Sequence, residues 1–108
     1  MTGRVLIVLT TCGDADEGRR LAAELVERKL AACVNAIDGI ASTYRWRGQI
    51  EQSRESLLVI KTTAERYAAV EQTIRELSSY ELPEVLALPV ERGSAAYLEW
   101  VAAAATDD

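Results

Sequence analysis

The sequence predicts an α+β fold: four strands and two crossover helices in the order βαββαβ, followed by a C-terminal helix. Three observations carry this reading. Val5–Leu9 is an unbroken aliphatic run, the pattern of a strand covered on both faces. Two stretches repeat apolar residues at helical spacing: Leu21, Ala22, Leu25 and Val26, then Tyr67, Val70, Ile74 and Leu77. Between them, from Ala31 to Thr63, two unusually long strand-like arms fold back at Arg47-Gly48-Gln49.

In chain order, Asp14 stands where an N-cap belongs, with Glu17 at the third helical position to complete a capping box. The hairpin then carries Val34, Ile37, Ile40, Tyr44, Trp46 and Ile50 at strand-like spacings, and Leu57–Ile60 is a second apolar run. Arms of about 14 residues at roughly 3.3 Å per residue span about 45 Å. A domain of 108 residues does not need that length to cross its own sheet, so the surplus is expected to lie against another copy of the chain. Thr62 and Glu65 repeat the capping-box arrangement ahead of the second helix. Pro83 blocks continuation of that helix, and Val85–Leu88 reads as a final buried strand. Gly93-Ser94 opens a short helix through Tyr97, Leu98 and Trp100, and residues 102–108 are expected to fray. There is no linker or repeat, so residues 1–108 form one domain.

Right-handed crossovers place both helices on the same face of the sheet, giving a ferredoxin-like arrangement. Val5–Leu9, Leu57–Ile60 and Val85–Leu88 nevertheless carry apolar side chains on both faces. An open apolar face of that size is an aggregation hazard unless a second subunit covers it, so self-association is expected. Tyr44, Trp46 and Trp100 are the expected contacts between copies, with Trp46 near the hairpin tip as a plug.

At 49% hydrophobic and 27% charged, the composition is that of an ordinary globular protein. A net charge of −5 argues against general nucleic-acid binding, which relies on basic patches, and Arg45-Trp46-Arg47 reads as a solvated hairpin tip. No apolar run approaches the roughly 20 residues of a membrane span. The first apolar run, of five residues, also falls short of the about 7–15 of a secretory signal. Two cysteines make no disulfide scaffold, so a reduced, cytoplasmic protein is expected.

Several short motifs share one resemblance. LAACVN at Leu30–Asn35, Tyr-x-Trp-x-Gly at Tyr44–Gly48 and IKTT at Ile60–Thr63 resemble the CutA family of divalent-cation-tolerance proteins. So do Thr10–Cys12, YELPE at Tyr80–Glu84, ALPV at Ala87–Val90 and YLEW at Tyr97–Trp100, in order along nearly the whole chain. The resemblance implies a PII-like homotrimer, sheets packed face to face and long hairpins reaching onto neighbours. It also implies a part in divalent-cation tolerance through copper or another divalent metal.

The chain contains no histidine, which removes the commonest general base and the commonest copper and zinc ligand. With no glycine-rich phosphate loop or dinucleotide fingerprint either, no enzyme is expected. Some members of the resembled family carry histidine just before the tyrosine of YELPE, proposed as a copper ligand; this chain has Ser78 and Ser79 there. Of that set only Cys12 remains. It stands either as a Cu(I) thiolate ligand or as a small strand residue packed like a hydrophobe. Cys33, between Ala32 and Val34, is assigned to the core. A second constellation is polar: Asn35, Lys61, Thr62, Tyr80, Glu81 and Glu84. Lys61 beside the start of the second helix offers an anion site. By analogy with PII-like trimers, these residues can line a small-ligand cleft between subunits. In the competing reading Lys61 pairs with Glu81 or Glu84 and only specifies assembly. Three functions follow: metal-linked tolerance, metal-free small-ligand sensing, or a trimeric interaction scaffold.

Overall fold

A computed structural model of the chain describes residues 4–107; residues 1–3 and 108 of the expected domain lie outside them. Strands β1 (Val5–Cys12), β2 (Cys33–Trp46), β3 (Gln49–Thr63) and β4 (Leu86–Pro89) alternate with helices α1 (Ala15–Glu27) and α2 (Tyr67–Leu77), and α3 (Ala95–Ala104) closes the chain. The sheet is antiparallel in the order β2-β3-β1-β4. The predicted βαββαβ order with a third helix is the observed one.

Alternation along the strands assigns the faces. Val8, Cys12, Leu58 and Ile60 join Leu21 and Leu25 of α1 and Val70 and Ile74 of α2 in one buried cluster, so both crossover helices cover the same face. β1 extends three residues beyond the expected Leu9, because Thr10, Thr11 and Cys12 continue its pairing with Leu58, Leu57 and Ser56. The opposite face carries Ile7, Leu9, Leu57 and Val59, all half-buried, and Leu86 and Leu88 of β4, 57% and 51% exposed. β4 is therefore not the buried strand expected; in a single chain its four residues are all exposed. The opposite face is also not wholly bare. Val5 and Thr63, paired on it, are buried where α3 packs on β1 and β3.

The expected frayed tail is corrected by the same helix. α3 runs to Ala104, Val101 and Ala105 are buried, and the Ala105 amide donates to the Val101 carbonyl. Apolar contact with the sheet, not sequence position, decides where the order ends.

The capping box at Thr62 and Glu65 is a second correction. β3 runs through Thr63, the buried Thr62 hydroxyl donates to the Leu30 carbonyl at 2.6 Å, and α2 begins only after Arg66, with no side-chain cap. Strand pairing with β1 overrides the local capping signal. At α1 the Asp14 half of the box holds, its carboxylate accepting the Glu17 amide at 2.8 Å, but the Glu17 carboxylate turns elsewhere.

The long hairpin is as expected. Arg47 and Gly48 form a two-residue turn with φ of +52° and +79°, positive at both positions as a type I′ turn requires. A bulge interrupts the arms: Ile37 pairs with Leu57 and Ile40 with Glu55, leaving Asp38 and Gly39 opposite Ser56. Gly39, at φ +70°, supplies the left-handed residue, and Arg54 donates to its carbonyl. The molecule is 47 Å in its longest dimension.

Candidate functional site

A cavity of about 620 Å³ lies between the distal hairpin and the α2–β4 loop. The hairpin contributes Ser42, Thr43, Tyr44 and Trp46; the loop contributes Tyr80, Glu81 and Glu84; Thr11 and Glu55 reach it from the sheet. Glu55 is a carboxylate two residues before an apolar run, and strand alternation puts it on the same face as Leu57 and Val59. It is 8% exposed, and its Oε2 accepts the Tyr80 hydroxyl at 2.5 Å. Burial first, then the bond to Glu55, hold the Tyr80 phenol well above the usual tyrosine range. At the rim, Arg47 donates to Glu81 at 2.7 Å while its guanidinium lies 5.3 Å from the Trp46 ring centre.

The loop that carries Tyr80 is held by Glu17. This buried carboxylate accepts from the Ser79 amide and the Ser79 hydroxyl, both at 2.8 Å, and from the Gly13 amide at 3.3 Å. It ties the start of α1 to a loop 62 residues away. Sequence reasoning read Glu17 as a local cap and missed both this clasp and Glu55. For Glu55 a signal existed, a lone charge phased with apolar strand positions; for Glu17 none did, because its partners are distant in sequence.

Cys12 is 1% exposed, and its thiol is pushed up to about 11, first by burial and then by the charges of Glu17, Asp14 and Glu55. Such a thiol resists becoming the thiolate a metal needs. Among the described residues, no three histidine, cysteine or acidic side chains come together to hold a metal ion. The residues present in one chain therefore do not fit a copper centre at Cys12. Cys33 is half-buried and pairs with Lys61 on the opposite face, so it is not in the helix-side core as expected; Val34 packs there instead.

The expected polar cleft divides in two. Tyr80, Glu81 and Glu84 line the cavity. Asn35 and Lys61 lie elsewhere, the lysine ammonium donating to the Asn35 amide oxygen. Lys61 stands six residues from Glu55 along β3, roughly 20 Å at strand spacing, and within the chain it does not pair with Glu81 or Glu84. It is five residues before the Arg66 cap, so no helix-initial amides join it, and Thr62 is buried. The anion site read from sequence is thus not assembled in one chain. Tyr44, Trp46 and Trp100 are all substantially exposed, and Trp100 stacks at a tilt on Tyr97, centroids 5.5 Å apart.

These features define a ferredoxin-like α+β protein with an extended, bulged hairpin and an acidic, aromatic cavity between the distal hairpin and the α2–β4 loop. The model of the CutA1 divalent ion tolerance proteins matches residues 6–104, and the chain belongs to that family. It is 39% identical over 95 residues to the divalent-cation tolerance protein CutA of Thermus thermophilus, covering 88% of this chain and 92% of that one. Against the CutA homolog of Xenopus laevis it is 42% identical over 101 residues, 94% of this chain and 67% of the relative. The crystal structure of CutA1 from Oryza sativa superimposes with a TM-score of 0.95 at 36% identity, covering 99% of this chain and 98% of that one. The chain spans about half the length of the mammalian and plant relatives, 55% for the human protein. The family's names describe tolerance, not catalysis. No helix among the described residues is long and apolar enough to cross a membrane, while relatives bear chloroplastic or periplasmic names.

Proposed function

We propose that the chain serves divalent-cation tolerance as a homotrimer, with neighbouring copies covering its second sheet face and hairpin, and with no resident metal at Cys12. The observation that carries this is the apolar surface one chain leaves open. Leu86 and Leu88 on the sheet, Ile37 and Ile50 (68% exposed) on the hairpin, and Tyr44, Trp46, Tyr97 and Trp100 are all large and uncovered. Surface of that kind is what a subunit contact buries. The number three is what the resemblance to the CutA family implies. Two free cysteines accord with a reducing compartment, the cytoplasm.

Native mass spectrometry at micromolar concentration tests the assembly: a trimer is expected, and a folded monomer overturns it. A Cu(I) competition titration on reduced protein, beside Cys12→Ser, tests the metal half. Binding no tighter than a free thiol is expected. Tight binding lost in Cys12→Ser would overturn the metal-free reading. A second reading, small-ligand binding without metal, is favoured by the cavity itself, whose volume falls within the roughly 300–1,000 Å³ of ligand sites.

A further inference from the structure

Between the end of α2 and the start of β4, residues 79–85 have little of their own to hold them in place. Among the described residues, no backbone–backbone hydrogen bond involves this segment. Its packing is also thin: Val85 reaches the core cluster, Tyr80 and Pro83 are half-buried, and Leu82 is 73% exposed. A segment with few apolar contacts and no ladder belongs to the low end of local stability. What holds it is side chains on other elements. Glu17 of α1 accepts the Ser79 amide and hydroxyl, both at 2.8 Å, and Glu55 of β3 accepts the Tyr80 hydroxyl at 2.5 Å. Both carboxylates are more than nine-tenths buried. The other distant tie, Arg47 to Glu81, joins side chains each 70% exposed and adds little.

The two carboxylates flank Cys12. Glu55 adjoins Ser56, the strand partner of Cys12, and Glu17 accepts the amide of Gly13, the next residue along β1. A Cβ placed on Gly13 would lie 3.6 Å from the Ser79 hydroxyl oxygen and 3.8 Å from that of Tyr80, so the two latched residues close the end of the strand. On the helix side Cys12 is walled by the core cluster, and it is 1% exposed.

We propose that residues 79–85 are a strap that releases as a unit while the sheet and helices stay folded, and that this release is the route by which small thiol-seeking reagents reach Cys12. Latched, the strap leaves Cys12 inert; released, it leaves an accessible thiol. The metal-free reading of Cys12 describes the closed chain, and the gate goes beyond it by setting when the thiol answers. Glu17 and Glu55 are the latch, and Ser79 and Tyr80 are what they hold. All four belong to one chain, so the gate does not depend on the number of copies.

The test is alkylation of Cys12 by iodoacetamide in the protein as it assembles, in a Cys33→Ser background that leaves one of the chain's two cysteines. The rate is read by intact mass at urea concentrations below the unfolding transition. Strap release exposes little surface, so a rate nearly independent of urea is expected until global unfolding takes over near the transition. Ser79→Ala and Tyr80→Phe each remove one latch hydroxyl without changing a charge, so a faster rate reports access. Each should speed alkylation at low urea roughly tenfold, the size of one hydrogen bond to a charged group. Val101→Ala, at a buried position of α3 on the opposite face of the sheet, should lower global stability and leave that rate unchanged. The proposal is overturned by a rate that follows urea as steeply as global unfolding, by strap variants that leave the rate unchanged, or by Val101→Ala speeding it as much as they do. A neighbouring copy that clamps the strap gives the first of these results while the native mass stays trimeric, so the gate and the assembly fail separately.

Discussion

Replacing Glu17 with Ala removes the acceptor for three donors on two segments, Gly13 and Ser79. The two Ser79 bonds are 2.8 Å and go to a carboxylate buried to 6% exposure, so each belongs to the stronger class, about 1.5–3 kcal/mol. Ser79 itself is exposed, so water can take up its freed donors and the low end applies. The Gly13 bond, at 3.3 Å, adds little. Glu17→Ala should therefore cost about 3 kcal/mol, and Ser79→Ala, which loses only the hydroxyl bond, about 1.5 kcal/mol. In the double variant the serine hydroxyl has no carboxylate to reach, so its removal should cost almost nothing further. The coupling energy is then about 1.5 kcal/mol. Urea unfolding followed by circular dichroism, at one fixed protein concentration because assembly contributes to stability, measures all four corners of the cycle. If Ser79→Ala costs the same with and without Glu17, the two residues are not an energetic unit and the clasp is refuted.

Cys12 gives a pH prediction. Its thiol is raised from 9.0 to about 11 in the folded chain, so the native state holds this proton more tightly than the unfolded one. The associated stability is complete below about pH 9 and lost as pH rises to about 11, on the order of 2 kcal/mol by linkage. Cys12→Ala should flatten unfolding curves over that window, leaving the loss from Tyr80, also raised, at higher pH. A slope there that persists unchanged would refute the assignment. Glu17→Gln removes the second-ranked cause of the shift, so the native Cys12 should alkylate faster than in the parent protein, as read by mass spectrometry of modified peptides. Leu58→Ala, at a fully buried position between the sheet and the helices, should cost about 2–5 kcal/mol in denaturant unfolding. Trp46→Ala should weaken the assembly; an unchanged native mass and melting temperature would place Trp46 outside the contact.

Element order and the long hairpin were legible because they rest on periodicity and on one turn whose two residues both need positive φ. The faces of the sheet were legible for the same reason. What sequence misplaced was decided at long range. Thr62 and Glu65 have the local form of a cap, but Thr62 belongs to a strand because Leu6 pairs with it from the other end of the chain. The C-terminal segment was expected to fray because it is terminal, yet Ala105 is buried. The bulge had a signal, Gly39 inside a strand pattern, that marks a left-handed position. Within the site, Tyr80, Glu81 and Glu84 were read as neighbours because they share one loop, and all three line the cavity. Asn35, Lys61 and Thr62 were grouped with them although β3 carries Lys61 away from Glu55, a separation that only the strand register fixes.

The acidity around Cys12 and the acidity of the cavity have a common source. Glu55 lines the cavity and is also one of the charges that raise the Cys12 thiol; Glu17 raises the same thiol and holds the loop that forms the cavity's far wall. Negative potential gathered here opposes a thiolate at Cys12. A histidine in place of Ser79 would bring a metal ligand to this loop, but it would displace the hydroxyl that Glu17 now holds. The serine and the buried carboxylate thus work together. With them the loop is fixed by hydrogen bonds within the chain and Cys12 is held beneath it as a thiol, an arrangement poorly suited to copper.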